Sequence, residues 1–418
     1  MEQQKRFKMI DESFICDVCG KKIEPLVYTA RDHCPYCLSS KHLDINPGDR
    51  LSECHGILEP IGIENAKKGI GKVNPNPMVG SIIVKNERMV ASGFHKCYGG
   101  DHAEIDAFKN AMEDVEGATM YVTLEPCSHY GKTLPCVEKI IEKKIKRVVI
   151  GTLDPNPLVS GNGVRKLIDA GIEVSVGVLE EECKRVNEIF MKYITSKKPF
   201  VIMKCAMSLD GKICTKYGES KWITGKESRS HVHKTRNMVS AIMVGVDTVI
   251  KDNPKLTCRM ENGKNPIRII VDSTLRIPLK SNVLVDEYRD KTIIATTCSA
   301  NKEKVEYIES LGAKVLIVDK KERRVNLNDL MNKLGAMNID SILLEGGGTL
   351  NFSALNEKII DKVQVYIAPK IIGGKLAKTP VEGVGIDKLN EVFNLKNLRV
   401  DVLDEDIFID KINKYLER

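Results

Sequence analysis

Residues 119–136 read TMYVTLEPCSHYGKTLPC, a stretch that joins a short apolar run to two Pro-Cys pairs. The run at 119–123 has the length and composition of a buried β-strand. Cys127 and Cys136 follow it, each directly after a proline, and His102 lies upstream of the strand. Two thiolates and one imidazole supply three ligands for zinc and leave the fourth position open for water, as a catalytic zinc requires. The stretch therefore predicts a strand that leads into a catalytic metal centre.

Glu104 lies two residues after His102 and is the predicted proton-transfer residue. Zinc lowers the pKa of a bound water toward about 7, and a nearby carboxylate can carry a proton to the leaving amine. Zinc-dependent nucleobase deaminases combine such an HxE tripeptide with Pro-Cys ligands and use the glutamate for protons, not for the metal. The alternative is that His102 is a hydrogen-bonded core histidine and that the cysteines are small buried apolar residues. Three ligand types in this order favour zinc.

Apolar runs alternate with helical patterns on both sides of this stretch. Strand character is found at 78–84, 119–123 and 147–151, and helical periodicity at 103–114, 136–144 and 180–195. Such alternation is typical of an α/β domain. The last helical pattern runs into Ser196-Lys197-Lys198-Pro199, where the proline cannot continue a helix. We therefore predict an α/β domain over residues 61–198.

Strand-like runs resume after Pro199 and predict a second α/β domain over residues 199–418. They lie at 200–206, 241–246, 267–271, 292–295, 314–318, 341–344 and 362–367. The run at 341–344 is followed by EGGGTL at 345–350 and then by a helical pattern. Glycines at a strand-to-helix turn let backbone amides approach a pyrophosphate at the helix N-terminus, although ordinary tight turns use the same residues. Because no GxGxxG motif joins a strand to a helix, we do not predict a Rossmann domain.

Two CxxC pairs characterise residues 1–60: Cys16 with Cys19, and Cys34 with Cys37. Fourteen residues separate the pairs, a spacing that allows both to bind one tetrahedral zinc ion. So short a segment needs a metal to hold its fold. We therefore predict a small zinc-ribbon-like domain with a structural zinc. His33, His42, Cys54 and His55 are spare candidate ligands, any of which could replace a thiolate.

The composition of the whole chain limits where the protein works. With 418 residues, 42% hydrophobic and 29% charged, it has the composition of a globular protein of several domains. No apolar run is long enough to span a membrane, and no secretion signal is recognisable at the start, so we expect a cytoplasmic protein. The net charge of +7 is spread along the chain, which makes nucleic acid an unlikely partner. The thirteen cysteines are then expected to be reduced thiols, some of them bound to metal.

Several motifs around the predicted metal centre resemble the bifunctional riboflavin-biosynthesis deaminase/reductase family. They are NPNPMVG at 74–80, GGDHAE at 99–104, EPCSHYGKTLPC at 125–136, DPNP at 154–157 and GNG at 161–163. The eight residues between the two cysteines favour this family over nucleic-acid and cytidine deaminases, in which two residues are typical. The resemblance implies a cytidine-deaminase-like α/β/α fold. It also implies that the phosphorylated pyrimidine substrate is contacted by Asn76, His95, His129 and Lys132; each could instead be a solvated surface residue.

The chain departs from this family at two places in the first α/β domain. Leu134 stands where the family usually has a second proline, which should only loosen the turn. The family also normally begins with a helix of several turns, whereas here only residues 64–69 precede the glycine-rich segment. A shortened first helix favours the alternative of a catalytically weakened protein.

Motifs in the second α/β domain resemble the reductase half of the same family, which has a dihydrofolate-reductase-like fold. They are KCAMSLDGKI at 204–213, SKWIT at 220–224, VGVDT at 244–248, DNP at 252–254 and LTCR at 256–259. The resemblance implies an NADPH site lined by Ala206, Trp222, Thr248, Asp252, Ser273, Gly347, Gly348 and Thr349. It places Ser220, Arg236, Leu256, Arg259 and Glu345 at the substrate, and it implies a homo-oligomer formed through this domain. Arginine suits a phosphate because its guanidinium binds two oxygens at once.

The N-terminal segment resembles the RNHCP-type zinc domain, through RDHCPYCL at 31–38 with Asp32 where that motif has asparagine. The predicted activity is zinc-dependent deamination of 2,5-diamino-6-(5-phosphoribosylamino)pyrimidin-4-one, followed by NADPH reduction of the ribosyl group to ribityl. One alternative is an RNA-binding or nucleic-acid-editing zinc deaminase. That alternative needs aromatic stacking platforms, yet aromatic residues are only 5% of the chain. A second alternative is a catalytically weakened descendant, against which the intact HAE and Pro-Cys motifs argue.

Overall fold

The computed structural model of the protein describes residues 61–129, 134–156 and 160–413, together with four short strands nearer the N-terminus. The chain divides into two compact units, Met1–Met191 and Lys192–Arg418. Strands β1 (Phe14–Ile15) and β2 (Lys22–Ile23) form one antiparallel pair, and β3 (Ser40–Lys41) and β4 (Ile57–Leu58) form another. The four CxxC cysteines lie outside the described residues, so their predicted zinc site stays a prediction.

The first unit is built on a five-stranded sheet in the order β6-β5-β7-β8-β9. Its elements are α1 (Ile61–Lys67), β5 (Gly80–Lys85), β6 (Arg88–Phe94), α2 (Ala103–Lys109), β7 (Thr119–Leu124), α3 (Cys136–Glu142), β8 (Arg147–Thr152), α4 (Asn162–Asp169), β9 (Glu173–Val176), α5 (Glu180–Val186) and α6 (Glu188–Ser196). Strands β7, β8 and β9 are parallel, whereas β5 is antiparallel to both of its neighbours.

Side chains alternate across this sheet, as the two-residue period of a strand requires. Ile83, Met120 and Val148 point toward α2, α3 and α4, where they form the main core. Ile82, Tyr121 and Val149 face the other side, beside α1 and α5. Helices therefore cover both faces, and the predicted α/β/α fold class is confirmed.

Helix α1 has two turns, and glycine allows it to pack closely on the sheet. A Cβ atom at Gly80 would lie 2.0 Å from the carbonyl oxygen of Gly62, so only glycine permits this approach. Ile63 and Ala66 of α1 are buried. The first helix is short, as expected, but it packs against the sheet.

The second unit is built on a nine-stranded sheet in the order β14-β13-β12-β11-β17-β10-β18-β20-β19. Its elements are β10 (Phe200–Ser208), α7 (Lys226–Met238), β11 (Ala241–Gly245), α8 (Val246–Asp252), β12 (Ile267–Val271), α9 (Asn282–Val285), β13 (Thr292–Thr296), α10 (Lys302–Ser310), β14 (Lys314–Ile317), β15 (Lys320–Lys321), β16 (Arg324–Val325), α11 (Leu327–Ala336), β17 (Ser341–Leu344), α12 (Gly348–Asn356), β18 (Lys362–Ala368), β19 (Leu395–Leu403) and β20 (Asp406–Asn413). The strands from β14 to β18 are parallel, and β20 and β19 extend the sheet antiparallel.

The central strands of this sheet are apolar on both faces, as buried parallel strands must be. Met203, Met243 and Leu344 belong to one buried cluster, and Ile242, Val244 and Ile270 to a second. The predicted α/β class of this domain is confirmed. Of the helices that the structure describes, none combines the length and apolar character needed to cross a bilayer.

Two details of the predicted elements are wrong. The helical pattern at 180–195 is two helices, because Asn187 turns inward and its side chain exchanges two hydrogen bonds with the backbone of Met78. The helix predicted at 103–114 ends at Lys109. The structural units divide between Met191 and Lys192, within α6, and the predicted domain boundary at 198/199 stays a prediction.

Candidate functional site

The three predicted zinc ligands meet at one point beside the first sheet. His102 precedes the first residue of α2, Cys127 lies just beyond the end of β7, and Cys136 is the first residue of α3. His102 Nδ1 lies 3.5 Å from Cys127 Sγ and 3.3 Å from Cys136 Sγ. All three ligand atoms lie within 4.8 Å of one another. Atoms that each bind one central zinc at about 2.0–2.3 Å are separated by distances of this size, so the donor set fits zinc.

The charges of the cluster suit a divalent cation. The pKa of Cys127 is lowered to about 4, chiefly because it accepts a hydrogen bond from the Cys136 thiol, with further help from His102. The same hydrogen bond holds the pKa of Cys136 well above its usual range. The backbone N–H of Cys136 also donates to Cys127 Sγ at 3.3 Å. A divalent metal ion that replaces the proton between the two sulfurs would bind one thiolate that is already formed and the second sulfur beside it.

Glu104 lies on the first turn of α2, next to the three ligands, and only 3% of it is exposed. Burial is the main reason why its pKa is raised to about 7, and the nearby negative charge of Cys127 adds to the effect. The carboxyl group is therefore held beside the metal centre without belonging to the three-residue cluster. This is the placement that a proton-transfer residue needs.

Asn76 and His95, two of the predicted substrate residues, are hydrogen-bonded to each other. Asn76 Nδ2 lies 3.1 Å from His95 Nε2, and His95 Nδ1 lies 2.8 Å from the carbonyl oxygen of Asp101. Because a carbonyl can only accept, Nδ1 of His95 carries the hydrogen and Nε2 accepts from Asn76. Burial lowers the pKa of His95, so its ring is neutral near pH 7. The ring packs edge-on against His102, with 5.6 Å between the centroids, which brings the pair to the metal centre.

The other two predicted pyrimidine-site residues differ from this pair. His129 is exposed and lies two residues beyond Cys127. Lys132 lies outside the described residues, so its predicted contact with the substrate stays a prediction.

Glu125 is an organising residue that sequence reasoning missed. It precedes Pro126-Cys127, only 4% of it is exposed, and its carboxylate accepts four backbone hydrogen bonds. The donors are the N–H groups of Asp154 at 3.2 Å, Gly161 at 3.0 Å, Gly163 at 2.9 Å and Val164 at 3.2 Å. One side chain therefore fixes the loop beside Cys127. The only signal in the sequence was a glutamate between an apolar strand and Pro-Cys, where burial demands partners.

In the second unit, the predicted glycine turn joins β17 to α12. Gly347 precedes the first residue of α12, and a Cβ atom there would meet no atom within 4 Å, so its outer side faces open space. Asn351, in the first turns of the helix, has a buried Oδ1 without a hydrogen-bond partner among the described residues. Backbone N–H groups at such a turn bind phosphate oxygens, and the turn therefore fits a dinucleotide cofactor.

The remaining predicted cofactor residues lie on the three strands β10, β11 and β12 or on the segments that follow them. Ala206 is half-buried on β10, and Thr248 and Asp252 lie on α8, which directly follows β11. Ser273 follows β12, at the same edge of the sheet as the Gly347 turn after β17. Trp222 is 59% exposed, and the guanidinium of Arg229 lies 4.8 Å from the centre of its ring system.

Arg236 and Glu345, both predicted to face the substrate, form an ion pair with each other. The guanidinium of Arg236 on α7 donates two hydrogen bonds to Glu345, of 2.7 and 2.9 Å, and a third of 2.9 Å to the carbonyl oxygen of Thr257. Burial raises the pKa of Glu345, but the charge of Arg236 outweighs it and the resulting pKa is about 2. Arg236 therefore makes its bidentate contact with Glu345, whereas we expected it to make that contact with a phosphate.

The other predicted substrate residues lie near this pair in sequence but differ in exposure. Leu256 is buried and has a left-handed φ of 53°. Arg259 is exposed, and its backbone N–H donates to His233 Nδ1 at 3.2 Å. Ser220 is half-buried in the loop before Trp222.

A loop at 370–374 belongs to this region, although sequence reasoning did not include it. Asp210 accepts hydrogen bonds from the N–H groups of Ile372 at 3.0 Å and Gly373 at 2.7 Å. Lys370 Nζ donates to the carbonyl oxygens of Trp222 at 3.0 Å and Ile223 at 2.6 Å. Three loops are thereby joined, and the Gly-Gly pair at 373–374 after a strand was the available signal.

Comparisons with known proteins agree with this division. Residues 199–409 match the RibD C-terminal domain, residues 61–152 match the cytidine and deoxycytidylate deaminase zinc-binding region, and residues 11–74 match the RNHCP domain. The chain is 52% identical to the riboflavin biosynthesis protein RibD of Actinobacillus pleuropneumoniae over 347 residues, which is 83% of this chain and 92% of that protein. It is 45% identical to RibD of Aquifex aeolicus over 350 residues, or 84% of this chain and 96% of that protein.

Two solved structures resemble the whole fold. RibD of Acinetobacter baumannii has a TM-score of 0.76 and 35% identity, covering 85% of this chain and 97% of its own. The deaminase/reductase of Thermotoga maritima has a TM-score of 0.72 and 41% identity, covering 84% of this chain and 97% of its own.

These findings confirm the predicted family, enzyme class and cofactors. Zinc belongs to the deaminase and RNHCP domains, and NADPH to the reductase domain. The family match covers the second α/β domain, which the nucleic-acid-editing alternative left unexplained. With both halves matched and a 52% identical relative spanning most of its length, the chain belongs to the RibD family, the bifunctional deaminase/reductases of riboflavin biosynthesis.

Proposed function

We propose that residues 61–198 deaminate 2,5-diamino-6-(5-phosphoribosylamino)pyrimidin-4-one and that residues 199–418 then reduce the ribosyl group of the product to ribityl. The observation that carries the proposal is the cluster of His102, Cys127 and Cys136 with the buried Glu104 beside it. That arrangement suits the exchange of a ring amine for water. A reductase in the same chain then receives the deaminated product.

In the deaminase half, we infer that His102, Cys127 and Cys136 hold zinc and that Glu104 moves the proton. When bound, zinc supplies a Lewis acid that lowers the pKa of water. Glu104 takes one proton from the attacking water and delivers it to the departing amine, which leaves as ammonia. Burial raises the pKa of Glu104 to about 7, so the carboxyl group can both accept and release a proton near neutral pH. We place the same group close to the reacting atoms.

Four further side chains are proposed to hold the pyrimidine and its phosphorylated sugar. Neutral His95 accepts from Asn76, which turns the amide nitrogen of Asn76 toward the histidine and its oxygen toward the ligand. His129 and Lys132 would contact the phosphorylated sugar, because a lysine acts on phosphate as a compact charge.

In the reductase half, we infer that NADPH lies along the edge of the sheet defined by Ala206, Thr248, Asp252, Ser273 and the turn of Gly347, Gly348 and Thr349. NADPH supplies the hydride for C1 of the sugar, and the protein aligns the two. Trp222 would cover the cofactor from its exposed loop. Glu345, fixed by Arg236, would face the sugar together with Ser220 and Leu256, while exposed Arg259 would bind the phosphate.

The N-terminal segment is proposed to be a separate domain over residues 1–60, with zinc bound by Cys16, Cys19, Cys34 and Cys37. We place the protein in the cytoplasm, where such thiolates stay reduced. In support, the eight cysteines that the structure describes are all free of disulfides.

We further propose a homo-oligomer formed through β19. This strand is at the edge of its sheet and presents Leu398, Val400 and Val402 to solvent on one face. A second copy would cover this apolar face. Val402→Lys should then reduce the mass measured by light scattering, whereas Lys396→Ala should leave it unchanged.

The proposed reaction order is tested with the diamino substrate and the full-length enzyme. Ammonia release should occur without NADPH, and NADPH absorbance at 340 nm should fall only after ammonia has appeared. Addition of the pre-deaminated substrate should remove that lag. Oxidation of NADPH before any ammonia is released would contradict the order, and release of ammonia only with NADPH would contradict the independence of the two sites.

A further inference from the structure

The hairpin formed by β15 and β16 carries four basic side chains in five residues. Lys320, Lys321, Arg323 and Arg324 surround Glu322, and all four cations are exposed. The hairpin follows β14, so it lies at the end of the sheet edge where the parallel strands finish. None of these residues belongs to a motif of the predicted cofactor site.

The hairpin is attached to Ser273, which the cofactor prediction does include. The N–H of Val325 donates to Ser273 Oγ at 3.1 Å, while the hydroxyl of Thr297 donates to the carbonyl oxygen of Ser273 at 2.8 Å. Since the oxygen of the Ser273 hydroxyl already accepts a hydrogen bond, its own hydrogen is available to a ligand. Ser273 is half-buried, so a ligand can reach it.

Two of the four cations face α12, the helix whose N-terminus is the proposed pyrophosphate site. Lys321 and Arg324 are opposite each other in the hairpin and so share one face. Lys321 pairs with Glu357 at 3.8 Å, at the far end of α12. Arg324 Nη1 lies 3.4 Å from Ser353 Oγ, closer to the start of the helix.

Arg324 differs from Lys321, which shares its face of the hairpin, because the charge of Lys321 is paired with Glu357 and that of Arg324 is not. Within the part of the chain that the structure describes, no carboxylate lies within ion-pair distance of it. Arg276, the other arginine near Ser273, is neutralised by Asp247 at 2.9 Å. Ser353 is five residues after Gly348, which places Arg324 about 8 Å along the helix from its N-terminus.

We propose that Arg324 and Ser273 form the site for the ribose 2′-phosphate, the group that distinguishes NADPH from NADH. This phosphate lies one sugar ring away from the pyrophosphate, so the two anions need two separate binding points a short distance apart. The N-terminus of α12 provides the first, and Arg324 with the Ser273 hydroxyl provides the second. A guanidinium binds two phosphate oxygens, and the serine donates to a third.

The inference rests on the proposed cofactor cleft, and binding measurements separate the two. Dissociation constants for NADPH and NADH are measured on the full-length protein by cofactor fluorescence, alongside competition by adenosine 2′,5′-bisphosphate and by adenosine 5′-monophosphate. Arg324→Ala should weaken NADPH and the bisphosphate by about ten- to a hundredfold. Binding of NADH and the monophosphate should change less than about twofold, because neither carries the lost contact.

Lys321→Ala is the matched control, because it removes the same charge from the same face of the hairpin. It should leave the ratio of the NADPH to the NADH dissociation constant unchanged, whereas Ser273→Ala should raise that ratio. An equal loss of both cofactors in Arg324→Ala, or an equal effect in Lys321→Ala, would overturn the assignment. Wild-type protein that bound neither dinucleotide would instead refute the cofactor cleft itself.

Discussion

At the scale of single residues, the proposed deaminase centre separates three groups assigned to the metal from one group assigned to proton transfer. His102, Cys127 and Cys136 offer atoms that converge, and Glu104 lies beside them in a buried position. A ligand and a proton carrier respond differently to substitution, since the ligand is bonded directly to the metal and the proton carrier is not. The two roles can therefore be measured separately.

Glu104→Gln should keep zinc and lose deamination by about a hundred- to ten-thousandfold, the usual size of a general acid–base contribution. Cys127→Ser should instead lose the metal, because a hydroxyl does not readily replace an anionic sulfur ligand. Zinc per chain by elemental analysis and ammonia release by a coupled assay check both. A fall of zinc in step with activity in Glu104→Gln would show that Glu104 is a ligand.

Glu125→Gln should lower stability and deamination together, because an amide oxygen cannot accept the four hydrogen bonds that the carboxylate accepts. We expect a loss of about 1–3 kcal/mol in the free energy of unfolding. Glu116→Gln, on the surface near Lys144, is the control and should be close to neutral. In Glu125→Gln, NADPH oxidation on pre-deaminated substrate should stay unchanged. An unchanged rate of deamination in this variant would show that Glu125 does not organise the deaminase site.

The clustering of His102, Cys127 and Cys136 could be predicted from the sequence, because these residue types are rare and their chemistry is specific. The role of Glu125 could not, since its partners lie 29 to 39 residues away and contribute only backbone groups. The pairing of Arg236 with Glu345 was hidden for a similar reason. The two are 109 residues apart, and each alone fits a substrate contact.

At the scale of elements, the ion pair of Arg236 with Glu345 joins α7 to the end of β17. Both side chains are at least 86% buried. An ionised pair in such a place depends on the carboxyl staying charged, and this dependence predicts how pH affects the fold.

The Arg236–Glu345 pair should stabilise the fold above pH 4.5 and cease to do so as the pH falls toward 2. The pKa of Glu345 is lowered from 4.5 to about 2, because the charge of Arg236 outweighs the effect of burial. A lowered carboxyl pKa means that unfolding takes up protons between these values, which corresponds to about 3 kcal/mol. Urea unfolding of wild type and Glu345→Gln should differ most at pH 7 and converge below pH 4.

An exposed carboxylate provides the control for this pH series. Glu309→Gln on α10 should remain near wild type throughout, because it removes no buried ion pair. A Glu345→Gln deficit that stayed constant down to pH 3 would show that the pair contributes through shape and not through charge.

The buried parallel strands of the second unit could be predicted from the sequence, because they are continuous apolar runs. β19 was not predicted, although Leu398, Val400 and Val402 alternate with charged residues as in a strand with one apolar face. The break between α5 and α6 escaped detection because Asn187 acts through a contact with Met78, 109 residues away. Helix propensity alone predicts a single helix over residues 180–195.

At the scale of the whole molecule, we propose that the two reactions belong to two separate units. The three proposed zinc ligands precede Met191, and the elements of the proposed cofactor cleft follow Lys192. The two proposed sites therefore have no residue in common.

Removal of zinc from the full-length protein by a chelator should abolish ammonia release and leave NADPH oxidation on pre-deaminated substrate largely intact. Metal analysis before and after, with zinc added back as the control, checks the result. Equal loss of both reactions would contradict the independence of the units.

A reductase fragment should begin at Glu188, because Lys192 pairs with buried Asp361 and Tyr193 donates to the carbonyl oxygen of Gly335 at 3.0 Å.

The position of β10 in the nine-stranded sheet has a consequence for how the chain is made. β10 is the first strand of the second unit to leave the ribosome, yet both of its neighbours, β17 and β18, are translated more than 130 residues later. At about 5–20 residues per second, β10 remains unpaired for on the order of 10 s. During that interval its apolar segment is exposed along both edges, while β5 and β6 of the first unit have already paired over a short loop. Nascent chains that aggregate, or that recruit a chaperone, should therefore do so through the segment at 200–208.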